Sequence, residues 1–97
     1  MAQQAAVGTH RTKIRTEDGT TRVRYHYTDV VSFDRDMVTL DTGGWETATT
    51  KLRMNQASCQ FGLGYRVYQK DFDWFVTTPN GNTVEFTGNI ISFNRSK

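Results

Sequence analysis

The chain contains one cysteine, one proline and two histidines in 97 residues. A lone Cys59 excludes an internal disulfide, and so few Cys and His side chains argue against a structural zinc site, which draws several such ligands. The thiol is expected to be buried and inert, as in a reducing cytosol. No hydrophobic run approaches the roughly 20 residues that a spanning helix needs, and the opening eight residues, from Met1 to Gly8, have neither a charged n-region nor an apolar h-region. No membrane partner and no export are therefore expected. The chain also lacks internal repeats, charge blocks and linkers.

A chain of 97 residues fits a single domain, near the small end of what one hydrophobic core stabilises. Residues 1–9, rich in Ala and Gln without periodicity, are expected to form a flexible tail, and residues 11–93 the folded core. The hydrophobic fraction is 36%, but it includes 6 Phe, 4 Tyr and 2 Trp, each burying far more area than an alanine. Net charge is only +2, yet it is unevenly placed. Residues 1–28 hold five cations and two acids, a net of +3, whereas the remainder is nearly balanced at −1.

From Arg11 the pattern is strand, turn, strand. Asp18-Gly19 supplies the positive φ angles of a two-residue hairpin loop, with RTKIRT before it and TRVRYHYT after it. In that register Ile14 faces Val23 and Thr12 faces Tyr25 on an apolar side. The other side sets Arg15 opposite Arg22, Lys13 opposite Arg24 and Arg11 opposite His26, and like charges directly across an antiparallel pair repel. A second hairpin, DVVSFD turning through Arg35 into DMVTLD, is rich in β-branched residues.

Gly43-Gly44 then breaks the strand pattern, and threonines at 42, 47 and 49 can cap a helix placed at 47–60. On a 100° wheel Trp45, Ala48, Leu52, Asn55, Cys59 and Leu63 form one stripe, assigned to the sheet. Thr50, Met54, Ala57 and Phe61 form an opposite stripe, a candidate interface that needs a loop, a second subunit or a ligand to cover it. Asn55, on the inner stripe, is read as a buried amide satisfying backbone groups. Gly62 and Gly64 stop the helix.

The remainder reads YRVYQ, a KDFD turn, WFVTT, a PNGN turn, TVEF, a TGN turn and IISF, with Asn94–Lys97 fraying. A two-residue loop at Asn80-Gly81 places Phe75 across from Phe86 and Thr77 across from Val84. The sum is an α+β domain: seven or eight short strands in a mostly antiparallel sheet, curling into a partial barrel, with one central helix.

The first hairpin carries the strongest chemical signal. Arg11, Lys13, Arg15, Arg22 and Arg24 on one face, joined by His26, whose imidazole type gains charge on acidification, form a surface suited to phosphates. Such a ribbon can follow a nucleic-acid backbone with salt-sensitive affinity. The bland alternative is that the cations splay into solvent and pair with Glu17 or Asp29. Tyr25, Tyr27, Tyr68 and Trp74 interleave with cations and are candidate stacking platforms, as in single-strand binders, although in so small a domain most aromatics belong to the core. Lys51, Arg53, Asn55 and Gln56 have base-reading chemistry but also the composition of an ordinary solvated helix.

No catalytic, metal or cofactor set emerges. The carboxylates fall mostly in turns, His10 and His26 point to opposite faces, a Cys59–His26 pair conflicts with a buried thiol, and Thr47–Lys51 lacks the glycine spacing of a phosphate loop. The chain is read as a non-enzyme.

At GGWETATTKLRMNQAS and FGLGYRVYQKDFDWFV, together Gly43–Val76, the sequence resembles a group of small proteins of tailed bacteriophages and related prophages that carry no assigned activity. The resemblance implies a viral gene product, in the host cytoplasm or the virion, and transfers no functional residues. The leading expectation is a nucleic-acid-binding accessory protein, for DNA or RNA. The alternatives are a virion assembly or homo-oligomeric protein, and a factor that sequesters a host protein or an anionic nucleotide.

Overall fold

Asp18 and Gly19 both take positive φ, 52° and 81°, the tight loop whose twist matches the strands it joins. The hairpin they close pairs β1 (Thr12–Glu17) with β2 (Thr20–Tyr25) in the expected register, from Thr12 opposite Tyr25 to Glu17 opposite Thr20. The computed structural model describes residues 12–44, 47–86 and 88–95, so the expected tail, Arg11, His10 and Trp45 lie outside the described residues.

After β2 come β3 (Thr28–Phe33), β4 (Met37–Asp41), the helix α1 (Ala48–Phe61), β5 (Arg66–Lys70), β6 (Asp73–Thr77), β7 (Thr83–Glu85) and β8 (Ile90–Asn94). They form two antiparallel sheets, β1-β2-β3-β4-β8 and β5-β6-β7. The α+β expectation holds, with eight strands and one helix. The partial barrel does not: no described strand pairing joins the two sheets. The turn read between TVEF and IISF carries the chain across instead, and β8 pairs with β4 from Asp41–Ile90 to Met37–Asn94.

The turn between β2 and β3 went unread. His26 and Tyr27 form it, His26 at φ 57°, so His26 does not continue the strand face. No Gly, Asn, Asp or Pro marks this corner. A bulge follows in β3: Val23 pairs Val31 but Arg24 pairs Asp29, leaving Val30 as the extra residue. Consecutive strand residues ordinarily point to opposite faces, yet Val30 and Val31 are both buried here. The same irregularity sets Asp29 across from Arg24.

The helix begins where Thr47 Oγ1 accepts the Thr50 N–H at 3.2 Å and ends at Gly62, φ 64°, whose N–H, with that of Leu63, donates to the Ser58 carbonyl. Its bounds match the sequence reading within a residue. Its orientation does not. Thr50, Met54 and Ala57 are wholly buried, and Phe61 packs on Phe33 with ring centroids 5.0 Å apart. The stripe expected to need an outside cover is therefore the core face, covered by the chain itself. Ala48 and Cys59, assigned to the core, are exposed, so the buried-thiol expectation is also corrected. Periodicity could not rank the stripes because polar Arg53, Gln56 and Ser58 are buried beside the apolar side chains.

Asn55 behaves as expected. Its amide donates to the Val67 carbonyl at 2.9 Å and accepts the Val67 N–H at 2.8 Å, fixing β5 to the helix. Ser58 repeats the arrangement at Tyr65, donating to its carbonyl at 2.7 Å and accepting its N–H at 3.0 Å. Tyr65 donates its hydroxyl to the Met54 carbonyl at 2.6 Å, and burial holds its phenol far above the ordinary tyrosine pKa. One hydrophobic cluster, from Val23 through Met54 to Phe86, joins helix and both sheets.

The β6–β7 hairpin is one residue out of the expected register: Phe75 pairs Glu85 and Thr77 pairs Thr83. The loop has three residues, not two. Thr78 N–H donates to the Asn82 carbonyl and Gly81 N–H to the Thr78 carbonyl, with Gly81 at φ 91°, a turn followed by a glycine bulge. A one-residue slip exchanges the faces, and Phe86 comes to pack against Trp74, centroids 6.0 Å apart.

Two stability tests follow. Met54→Ala removes a wholly buried side chain and is expected to lower unfolding free energy by roughly 2–5 kcal/mol, read by denaturant titration. Asp34 accepts the N–H groups of Asp36 and Met37 at 2.8 Å each, and these bonds, helped by nearby Arg95, hold its carboxyl below the usual carboxylate range. A folded-state pKa below the unfolded one contributes fully above the unfolded value and is lost as pH falls through the folded one. Thermal melts from about pH 7 to about pH 2 should show Asp34→Ala less stable at the upper end, with the gap closing on acidification.

Candidate nucleic-acid interface

The β1–β2 ribbon stands at the edge of the larger sheet. Its inner face touches the core through Val23, which is wholly buried, while Ile14 across from it stays 41% exposed. From Lys13 to Glu17 every β1 residue is exposed. Strand alternation places Lys13, Arg15, Arg22 and Arg24 together on the outer face, with Lys13 opposite Arg24 and Arg15 opposite Arg22, as expected. A cleft of about 630 Å³ is lined by those four cations and by Thr12, Glu17, His26, Tyr27 and Asp29.

The acids named in the bland alternative do pair here. Arg15 Nη2 meets Glu17 Oε1 at 2.8 Å, Arg24 Nε meets Asp29 Oδ1 at 3.0 Å, and Arg22 Nε lies 3.9 Å from Asp29 Oδ2. One carboxylate is thus shared between two guanidiniums, and Lys13 has no ion pair among the described residues. Four cations against two carboxylates leave the cleft net positive. Exposed pairs of this kind contribute roughly 0.2–1 kcal/mol each, too little to lock the arginines away from a stronger anion. Arg11, expected opposite His26, lies outside the described residues.

The stacking candidates separate. Tyr27 is 95% exposed at the hairpin tip and lines the cationic cleft. Tyr25 is half-buried, edge-on to His26 at 4.3 Å, with the Arg53 guanidinium 5.7 Å from its ring. Tyr68 lies on the other sheet, stacked on Phe75 at 5.5 Å. Trp74 is corrected outright: it is buried and packed on Phe86, so its faces are closed to a base, and its indole N–H has no hydrogen-bond partner among the described residues. Arg53 and Gln56 are likewise buried. Arg53 donates to Thr12 Oγ1 and Gln56 Oε1, both at 3.0 Å, bracing β1 against the helix rather than reading bases.

Two features escaped the sequence. Phe72 is 90% exposed in the β5–β6 turn, at φ 72°. A second cleft, about 390 Å³, lies between Tyr25, His26 and Tyr27 on one side and Thr47 and Thr49 on the other. Residues twenty or more positions apart meet there, and no local pattern announces such a meeting.

Among the described residues no three His, Cys, Asp or Glu side chains are placed to hold a metal. His26 lies beside Thr49 at the start of α1, whereas Cys59 is ten residues further along, roughly 15 Å at the helical rise. No described helix is long and apolar enough to cross a membrane.

An antiparallel two-sheet α+β fold with a cationic edge ribbon is the class these features define. Over residues 1–92 the chain matches the family described as Kyanoviridae Gp96 protein, and it belongs to that family: it is a small phage protein. No curated protein and no solved structure matches it.

If Asp29 draws Arg22 and Arg24 away from a ligand, Asp29→Asn should tighten heparin binding about 1.4- to 5-fold, the equivalent of 0.2–1 kcal/mol, by isothermal titration at fixed salt.

Proposed function

We propose that the protein binds nucleic acid, acting by binding and not by catalysis, through the outer face of the β1–β2 ribbon. The observation that supports this most is the opposition of Lys13 to Arg24 and Arg15 to Arg22 along a single cleft. Like charges across a strand pair are destabilising, and polyphosphate lying in the cleft relieves that repulsion while releasing counterions. Tyr27 at the rim adds an aromatic surface beside the cations. A homo-oligomeric or virion-assembly role loses the helical stripe that motivated it, since that stripe lies inside the fold. Either host cytoplasm or virion suits a phage nucleic-acid binder.

Fluorescence anisotropy with a labelled oligonucleotide tests the reading. On a single strand, three or four neutralised phosphates correspond to a log–log salt slope of about −2.1 to −2.8, a roughly 20- to 50-fold loss between about 50 and about 200 mM salt. The double variant Arg22→Glu/Arg24→Glu should abolish binding while leaving the thermal melt nearly unchanged, both side chains being about half exposed. Absence of binding at low salt, or binding that survives the double variant, would overturn the proposal.

A further inference from the structure

His26 and Tyr27 line both clefts, so the cationic cleft and the space between the tyrosines and the helix start border one another at the β2–β3 corner. From this adjacency, and resting on the nucleic-acid reading above, we infer that the ligand is a single strand: phosphates run along Lys13, Arg15, Arg22 and Arg24, and one unstacked base enters the second cleft against Tyr27.

The two spaces differ in chemistry. The first is lined by guanidinium and ammonium groups and suits a phosphodiester backbone. The second, about 390 Å³, is lined by tyrosines on the β2–β3 corner and by two threonines, Thr47 at the helix cap, whose hydroxyl accepts the Thr50 N–H, and Thr49 in the first turn. A nucleobase needs both, an aromatic surface for its π-face and donors or acceptors for its edge. Tyr27 is the ring free to move onto it, being 95% exposed and without a ring partner among the described residues, whereas Tyr25 is already engaged by His26 and Arg53. Tyr25 forms the inner wall, and Arg53, bonded to Thr12 on β1 and Gln56 on the helix, holds that wall against α1. The bases of a duplex are stacked on one another and present edges only. The second cleft therefore has no use for a duplex, and the cations alone would hold one without discrimination.

The test compares three labelled probes of equal length by anisotropy at low salt: a mixed-sequence single strand, an abasic single strand with the same phosphodiester backbone, and a duplex. The intact single strand should bind tightest. Tyr27→Ala should weaken it about 5- to 150-fold, the equivalent of 1–3 kcal/mol for a stacked base, and leave the abasic strand and the duplex unchanged. Tyr27→Trp should restore binding, and Thr49→Phe, which fills the cleft from the helix side, should reproduce the selective loss. Equal affinity for intact and abasic strands, a preference for duplex, or indifference to Tyr27→Ala would overturn the inference while the ribbon proposal stands. Failure of all three probes to bind would remove both.

Discussion

Among the described residues the two sheets share no strand pairing, so the structure depends on the helix packed against both. Asn55 satisfies both backbone groups of Val67 and Ser58 both of Tyr65, which anchors the segment leading into the smaller sheet. The opposite flank, Thr50, Met54, Ala57 and Phe61, supplies the buried surface toward the larger one. A half-buried amide bonded in both directions to the backbone of one residue is directional in a way that hydrophobic contact is not. It sets the position of β5 along the helix, and thereby of the Asp71–Phe72 turn. Tyr65 adds a tie to the last strand, its ring 5.6 Å from Phe93.

The candidate site lies at the opposite extreme of constraint. The ribbon is held by pairing to β3 through β2, by one buried valine and by the Arg53–Thr12 hydrogen bond. Its outer face opposes like charges, a weak penalty in solvent that a folded core of this size absorbs. The bulge at Val30 connects these two demands. It buries a second consecutive valine, which strengthens the core, and it swings Asp29 beneath Arg22 and Arg24, which moderates the repulsion without neutralising it.

Much of this was legible where local chemistry suffices. Asp18-Gly19 dictated a two-residue loop, and the loop dictated every pair down to Thr12–Tyr25, hence the opposed cations. Thr47 and Gly62 bounded the helix by capping, and Asn55 announced itself as a polar residue among apolar neighbours. Legibility ended where two local answers were close in energy. Pro79-Asn80-Gly81 supports a two- or a three-residue loop, and the choice moved Phe86 from opposite Phe75 to the face of Trp74. His26-Tyr27 turns the chain without a turn residue, because the strands on either side pair well enough to impose a positive φ on histidine.

By itself, then, the sequence determined the α+β composition, the register of the first hairpin, the ends of the helix and the concentration of positive charge on one ribbon, since each follows from interactions among near neighbours. Tertiary structure decided which helix stripe is inside, that Trp74 and Arg53 are sealed, that β8 crosses to β4, and that Tyr27 and Thr49 border a common cleft. These depend on which surfaces bury the most apolar area together, a property of the assembled core that no single segment encodes.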